Sequence, residues 1–530
     1  MSTYHPLTLA GMVAEKCETH PDLVVLTIEG AGVRPDETRT YRELWQNGQR
    51  LAGALRQQGL QRGEMFALLL ANHAEFVDAM MAAALLGAVF VPIDPRTRGD
   101  KLAYSLAAAN CRGVIAADYA LAALQEVRAR VSSLAWVICL GTDEGAPPMD
   151  GALDYQAALA PEGSSVPVPE CGPDEAMQLI YTSGTTGDPK GIVMTHRRYC
   201  ETAALAPRLF GYRSDDRPYS GLSLTHANAQ LVTLGAALAG GLRCVLSRRF
   251  TKSRLWDITR RYGCTSFSLL GGMTTAVYAE APRPDDADNP VRFVVSAGMP
   301  AAIWHDFEQR FGVQILEFYG AAEGGLTIKP VGVGPAGSIG KPIPTLAYRI
   351  VDEAGHDVAP GQPGELLFRA ANDEPFRVQY FGNAAASDAK CAGGWLHMGD
   401  VVHEDAQGWL YFEYRKGAGI RRNGDFVNTA YIEKVLAECQ DIDDAYVYGI
   451  AAASGAPGEK DVVAAIVPRD ARSFDAQRVF RTCRDQLEPN FVPSLLQVLA
   501  HIPKTASEKP QERFLLDALQ TNPASVHREA

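Results

Sequence analysis

A chain of 530 residues exceeds the size at which one hydrophobic core keeps growing, so at least two domains are expected, one of them large. Hydrophobic residues at 47% and charged residues at 21% exclude a disordered or fibrous class. A net charge of -12 without a concentrated Lys/Arg block excludes broad nucleic-acid binding.

In chain order, Met1 to Pro6 lacks the basic and apolar regions of a signal peptide, which makes the cytoplasm the expected location. Met65 to Leu70, Glu75 to Leu86 and Ala88 to Ile93 read as strand, helix, strand. The longest apolar stretch, Ala79 to Val91, is broken by Gly87 and falls short of the roughly 18 to 20 residues needed to cross a bilayer, so no membrane span is expected. Apolar runs at Val114 to Ala116, Trp136 to Leu140, Arg292 to Ser296 and Val313 to Phe318 alternate with helical stretches such as Arg254 to Arg261 and Ala301 to Phe311. That alternation predicts an α/β fold, a large amino-terminal domain of helix-covered, mainly parallel sheets. After about Tyr348 the texture changes to short strands at Tyr348 to Asp352, Gly364 to Arg369 and Trp409 to Tyr414, which predict a small, more antiparallel subdomain. Helix Asn428 to Glu438, strands Asp444 to Ile450 and Val462 to Val467, and helix Phe474 to Leu487 outline a small α+β carboxy-terminal domain. The domains are placed at 1–414 and 415–530, and the polar tail after Thr521 is expected to fray. The ten scattered cysteines lack metal-ligand spacing and are expected to be reduced, mostly buried thiols.

Chemistry concentrates first in Tyr181-Thr182-Ser183-Gly184-Thr185-Thr186-Gly187-Asp188-Pro189-Lys190-Gly191. Glycines let backbone amides approach an anion, hydroxyls add donors and Lys190 adds a compact positive charge, a composition suited to phosphate. The spacing of a P-loop NTPase is absent. Further along come Glu317-Phe318-Tyr319-Gly320-Ala321-Ala322-Glu323, Gly337-Ser338-Ile339-Gly340-Lys341-Pro342, Gly364-Glu365-Leu366, Gly394-Trp395-Leu396-His397-Met398-Gly399-Asp400, Tyr414-Arg415-Lys416 with Gly424, and Pro503-Lys504-Thr505-Ala506-Ser507-Glu508-Lys509.

Together, and in this order, these segments resemble the adenylate-forming (ANL) superfamily, which includes acyl-CoA synthetases, luciferases and the adenylation domains of peptide synthetases. The likeness spans nearly the whole chain. Trp395 to Asp400 and His226 to Gln230 look closest to the crotonobetaine/carnitine-CoA ligase branch. The resemblance implies a distorted β-subdomain, a mobile carboxy-terminal domain, and activation of a carboxylic acid as acyl-AMP with release of pyrophosphate. It also implies transfer to coenzyme A. Alternatives are another acceptor (an amine, a carrier-protein thiol or other nucleophile) and a nucleotide-binding regulatory protein without catalysis. ATP, Mg2+ and coenzyme A are the implied cofactors and partners, with a homodimer as the expected assembly.

By the same resemblance Thr182, Ser183, Gly184, Thr185, Thr186 and Lys190 hold phosphate. Tyr319, within the Gly320-Ala321-Ala322 segment, stacks on adenine, and Gly298, Met299 and Pro300 lie against its other face. Glu323 would bind magnesium, a hard ion that takes few protein carboxylates. Asp400 would accept from the ribose hydroxyls and Arg415 would approach the ribose or phosphate. Lys509 is the implied catalytic cation for adenylation. His226, Gln230 and Gly271 are placed beside the acyl pocket, and Gly424 beside the pantetheine arm. The carboxy-terminal domain would rotate near Arg415 to Gly417.

The chain departs from the family pattern at four places. Ala322 stands where a threonine hydroxyl is usual, Tyr414 replaces an aspartate, Gly417 replaces an Asp or Lys hinge, and Ser507-Glu508 replaces a small residue and glycine. A pairing of Glu508 with Lys509 is a further expectation.

Overall fold

The structure is a computed structural model that describes residues 4–32, 34–142, 149–167, 171–181, 189–416, 420–422, 425–427, 429–452, 460–487, 489–505 and 508–528. The chain divides into two compact units. One comprises Met1–Thr251, Asp257–Ser268 and Val378–Ala389; the other comprises Lys252–Trp256, Leu269–Arg377 and Lys390–Ala530.

In the first unit a seven-stranded sheet has the order Leu153–Asp154, Trp136–Leu140, Gly113–Ala117, Met65–Leu69, Val89–Pro92, Ala176–Tyr181, Gly191–Thr195. Its successive pairs are parallel up to the closing hairpin, where Ala176–Tyr181 and Gly191–Thr195 run antiparallel. Near-continuous apolar strands are what a sheet covered on both faces requires. The Ala74–Leu86 helix is buried almost all round, with Phe76, Val77, Met80 and Met81 each at most 1% exposed. It approaches the Tyr41–Gln57 helix so closely that a Cβ on Gly48 would come within 2.7 Å of the Met81 Cβ. The same unit holds parallel strands Val24–Glu29, Cys244–Ser247 and Pro218–Ser220, edged by antiparallel Glu37–Thr40.

In the second unit Phe293–Ala297 pairs in parallel with Gln314–Ala321, which turns back antiparallel onto Gly324–Lys329. A separate antiparallel sheet runs Leu346–Val351, Gly364–Ala370, Leu396–Glu404, Leu410–Arg415, the small β-subdomain that the turn-rich sequence predicts. The carboxy-terminal α+β segment is built on strands Ile442–Ala451, Lys460–Pro468, Leu495–Val498 and Val526–Arg528. Its Lys460–Pro468 strand is buried on both faces: Val462, Ala464 and Ile466 join one apolar cluster with Val479 and Phe480, whereas Val463 and Ala465 join another with Leu515.

Two expectations need correction. The tail is ordered from Asn522 as far as Arg528: Val526–Arg528 pairs antiparallel with Leu495–Val498, because a sheet edge offers unpaired N–H and C=O groups whatever the polarity of the incoming side chains. All ten cysteines are free, but only five are buried and five are half-buried.

Candidate functional site

The strand Ala176–Tyr181 ends with Tyr181 opposite Gly191, so the Ser/Thr/Gly-rich segment joins two antiparallel neighbours, leaving a strand end as the sequence suggests. Tyr181 is anchored by its hydroxyl, which donates to the Ser105 carbonyl at 3.1 Å. Lys190 is exposed, its ammonium 5.4 Å from the centroid of the Tyr380 ring. Thr182, Ser183, Gly184, Thr185, Thr186 and Gly424, with Gly417 and Ser507, lie outside the described residues. In the same unit the His226 Nδ1 accepts the Asn228 backbone N–H at 3.1 Å, which puts the neutral ring's proton on Nε2. Gln230 is fully buried at the start of a π-helical stretch, Ala229–Gly235, and donates to the Leu224 carbonyl at 2.6 Å.

The second unit brings Tyr319, Glu323, Asp400, Arg415 and Lys509 into one electrostatic neighbourhood. Register explains part of it: Asp400 and Arg415 are direct cross-strand partners, so their side chains share a face and Nε lies 3.8 Å from Oδ1. Gly399, at φ 75°, turns the chain just before Asp400, and its N–H donates to Glu365 Oε1 at 3.2 Å. Lys416 closes this support, with its ammonium 2.8 Å from Glu365 Oε2 and its N–H on the Gly399 carbonyl at 2.8 Å. From the neighbouring sheet the Tyr319 hydroxyl donates to Asp400 Oδ2 at 2.6 Å.

Asp400 is only 7% exposed. Burial raises its pKa, and Arg415, the Tyr319 hydrogen bond, Lys390 and Lys509 oppose that rise. Burial, and then Asp400, hold the Tyr319 phenol well above its ordinary value. Lys509 is solvent-exposed, yet crowding by the protein and then Arg415 pull its ammonium below the ordinary lysine value, while Asp400 and Glu512 counteract. Among the acidic groups that act on Lys509 are Asp400 and Glu512. Glu323 is buried at 9% exposure.

Residues without an assigned role in the sequence also belong here. Lys390 donates to the Met398 carbonyl at 3.3 Å, and burial lowers its pKa against the fields of Glu323, Asp400 and Glu365. Nothing in its local sequence marks it, since only folding brings it beside Glu323. Glu365 and Lys416 stand inside recognisable motifs, but their mutual contact spans 51 positions.

Lys509 is presented by a tight turn. Thr505 N–H donates to the Lys509 carbonyl at 2.8 Å, Glu508 N–H to the Thr505 carbonyl at 3.0 Å, and Lys509 N–H to Thr505 Oγ1 at 3.2 Å. The turn requires a left-handed residue at 508, and Glu508 adopts φ 58° there. Because a side chain in that region costs roughly 1 to 2 kcal/mol, Glu508→Gly is expected to raise unfolding stability by about 1 kcal/mol, with Glu508→Ala close to neutral. Urea denaturation of the three proteins checks this; equal gains from Gly and Ala would trace the effect to the lost charge instead.

Within the second unit, the Tyr319–Asp400 aromatic-carboxylate pair beside Arg415, with the Lys509 cation acting on Asp400, suits the base and sugar of a nucleotide with a cation for its phosphate. Comparison with known proteins agrees. The AMP-binding enzyme family model matches residues 13–372, and the AMP-binding enzyme C-terminal domain model matches residues 431–509. The medium/long-chain-fatty-acid–CoA ligase FadD17 of Mycobacterium tuberculosis is 32% identical over 94% of this chain and 96% of its own. Indoleacetate–CoA ligase of Aromatoleum aromaticum is 30% identical over 90% and 92%. The crystal structure of the anthranilate CoA ligase AuaEII, in complex with anthranoyl-AMP, shares the fold at a TM-score of 0.84 and 23% identity, covering 99% of both chains. On the length of these matches, the chain belongs to the AMP-binding enzyme family.

Proposed function

We propose that Lys509, Asp400, Arg415, Tyr319 and Glu323 carry out the first half of an AMP-forming acid–CoA ligation. The Tyr319 to Asp400 hydrogen bond beside Arg415 is the observation that supports it most directly. The enzyme activates a carboxylic acid with ATP and passes the acyl group to coenzyme A. A substrate carboxylate oxygen bonds to the α-phosphorus as the bond to the bridging oxygen breaks, and pyrophosphate leaves. The sulfur of coenzyme A then attacks the acyl carbon, losing its proton, and AMP departs.

In this reading Tyr319 is held on edge by its hydroxyl and presents a ring face to adenine. Asp400 has about four lone-pair sites, of which Tyr319 uses one, leaving acceptors for ribose hydroxyls. The Lys509 ammonium offsets the charge that grows at the α-phosphate during attack. Glu323 is a hard oxygen donor of the type Mg2+ takes, and that ion, when bound, shields phosphate charge. Ala322 supplies no hydroxyl, so the phosphates lose one hydrogen bond worth about 0.5 to 1.5 kcal/mol. Arg415 to Gly417 is the proposed hinge between domains 1–414 and 415–530.

The relatives' names favour an acid with a sizeable apolar body; a carnitine-like quaternary ammonium acid, the branch suggested by Trp395 to Asp400, is the finer alternative. Pyrophosphate exchange with medium-chain fatty, arylacetic and carnitine-like acids is the test. The expected outcome is exchange with one class and thioester only when coenzyme A is added. ATP binding without exchange for any acid, or acyl-AMP that never reaches coenzyme A, would overturn the assignment. The reading also expects a homodimer, checked by sedimentation equilibrium, and a cytoplasmic location, checked by cell fractionation; among the described residues no helix is long and apolar enough to cross a membrane.

A further inference from the structure

Glu317 lies two residues before Tyr319 on the same strand and is 2% exposed. Its carboxylate accepts the backbone N–H of Gly298, and both of its oxygens lie near the N–H of Met299, at 3.3 and 3.2 Å. Two successive backbone N–H groups aimed at one carboxylate form a concave anion receptor, here filled by the protein's own side chain. The strand register sets this up: Ser296 is opposite Glu317, so the chain leaving the Phe293–Ala297 strand passes directly over the carboxylate.

The receptor is costly to maintain. Burial pushes the Glu317 carboxyl up to about 7 against the pull of the Gly298 N–H. Its cross-strand partner Lys329 is 3% exposed, with its ammonium 4.0 Å from the centroid of the Trp304 ring. A buried charge held at such cost only to stabilise a surface loop could be replaced by an apolar pair without loss. The loop it grips has little latitude: Gly298 adopts φ 104°, and a Cβ there would meet the Gly271 Cα at 3.2 Å.

We infer that Glu317 is a positioning residue for the nucleotide base: by clamping the Gly298 and Met299 N–H groups, it holds Ala297 to Pro300 in the one backbone shape that recognises adenine opposite Tyr319. This rests on the reading that Tyr319 and the 297–300 loop enclose the base. Glu317 touches no reacting atom, so its effect is on which base is held and how tightly, and the chemical step is untouched.

The test compares wild type, Glu317→Gln and Gly298→Ala with ATP and with ITP, whose base inverts the donor and acceptor edge of adenine. In Glu317→Gln an amide nitrogen replaces one oxygen and the negative charge is lost, so the Gly298 and Met299 N–H groups are left to share a single neutral acceptor. The expected result is a rise of about tenfold in KM for ATP with kcat within about threefold, the size expected from one hydrogen bond to a charged group. The preference for ATP over ITP should fall by a similar factor, and Gly298→Ala, which disturbs the loop from the other side, should give the same pattern. Thermal melting confirms that each variant is folded; should Glu317→Gln fail to fold, Gly298→Ala carries the test alone. Folded variants with wild-type KM and wild-type base preference would overturn the proposal, as would a loss confined to kcat. Failure of the wild type itself to prefer ATP over ITP would overturn the base-binding reading instead.

Discussion

Replacing Lys509 by alanine is expected to slow acyl-adenylate formation by about 10²- to 10³-fold, the loss typical when one preorganised donor to a developing anion is removed. Folding should be unaffected, because the residue is solvent-exposed and presented by a turn whose hydrogen bonds are made by backbone and Thr505. The defect should be confined to the first half-reaction: Lys509→Ala given preformed acyl-AMP and coenzyme A should still produce thioester near the wild-type rate. Single-turnover assays of the two halves measure this directly. Full adenylation activity in the variant would remove Lys509 from the mechanism.

The pH dependence follows from the same geometry. Crowding and Arg415 lower the Lys509 pKa, and only the protonated ammonium offsets phosphate charge. Activity is therefore present below that pKa and is lost as pH rises through it, so the alkaline limb of the adenylation rate should begin below the ordinary lysine range. In Lys509→Arg the cation stays protonated, and the limb should move to higher pH even if the rate falls.

Asp400→Ala is expected to raise KM for ATP by about 10- to 100-fold, since hydrogen bonds to a charged group contribute about 1.5 to 3 kcal/mol each. Two effects combine in that loss: the ribose acceptors vanish, and the Tyr319 hydroxyl, now without its 2.6 Å partner, no longer fixes the ring. Asp400→Asn separates them, because the amide oxygen still accepts from Tyr319 while the charge opposite Arg415 is gone. Comparison of ATP with its 2′- and 3′-deoxy analogues gives the specific readout. Wild type should discriminate, and Asp400→Ala should not. Equal discrimination in both proteins would place the ribose elsewhere.

Much of this arrangement is legible in the sequence because it is carried by local pattern. Uninterrupted apolar runs such as Val114 to Ala116 and Trp136 to Leu140 announce strands covered on both faces, and these become the parallel sheet of the first unit. Gly399 and Asp400 are recognisable because a turn glycine and an acceptor carboxylate must be adjacent for their geometry to work. Polarity misled at the chain end, where Val526 to Arg528 completes a sheet edge through backbone groups that carry no side-chain signal. The same reason hid Lys390 and Glu317: each acquires its meaning from partners at long separation.

By itself, then, the sequence determined the chemistry available, namely a hydroxyl- and glycine-rich phosphate loop, an aromatic, carboxylates and a late lysine in a set order, because residue type and short spacing suffice to specify donors, acceptors and turns. Only the tertiary structure decided which of them act on one another. Strand register made Asp400 and Arg415 neighbours and placed Lys329 across from Glu317. Those are consequences of backbone pairing, which depends on the whole fold and leaves no trace in local residue order.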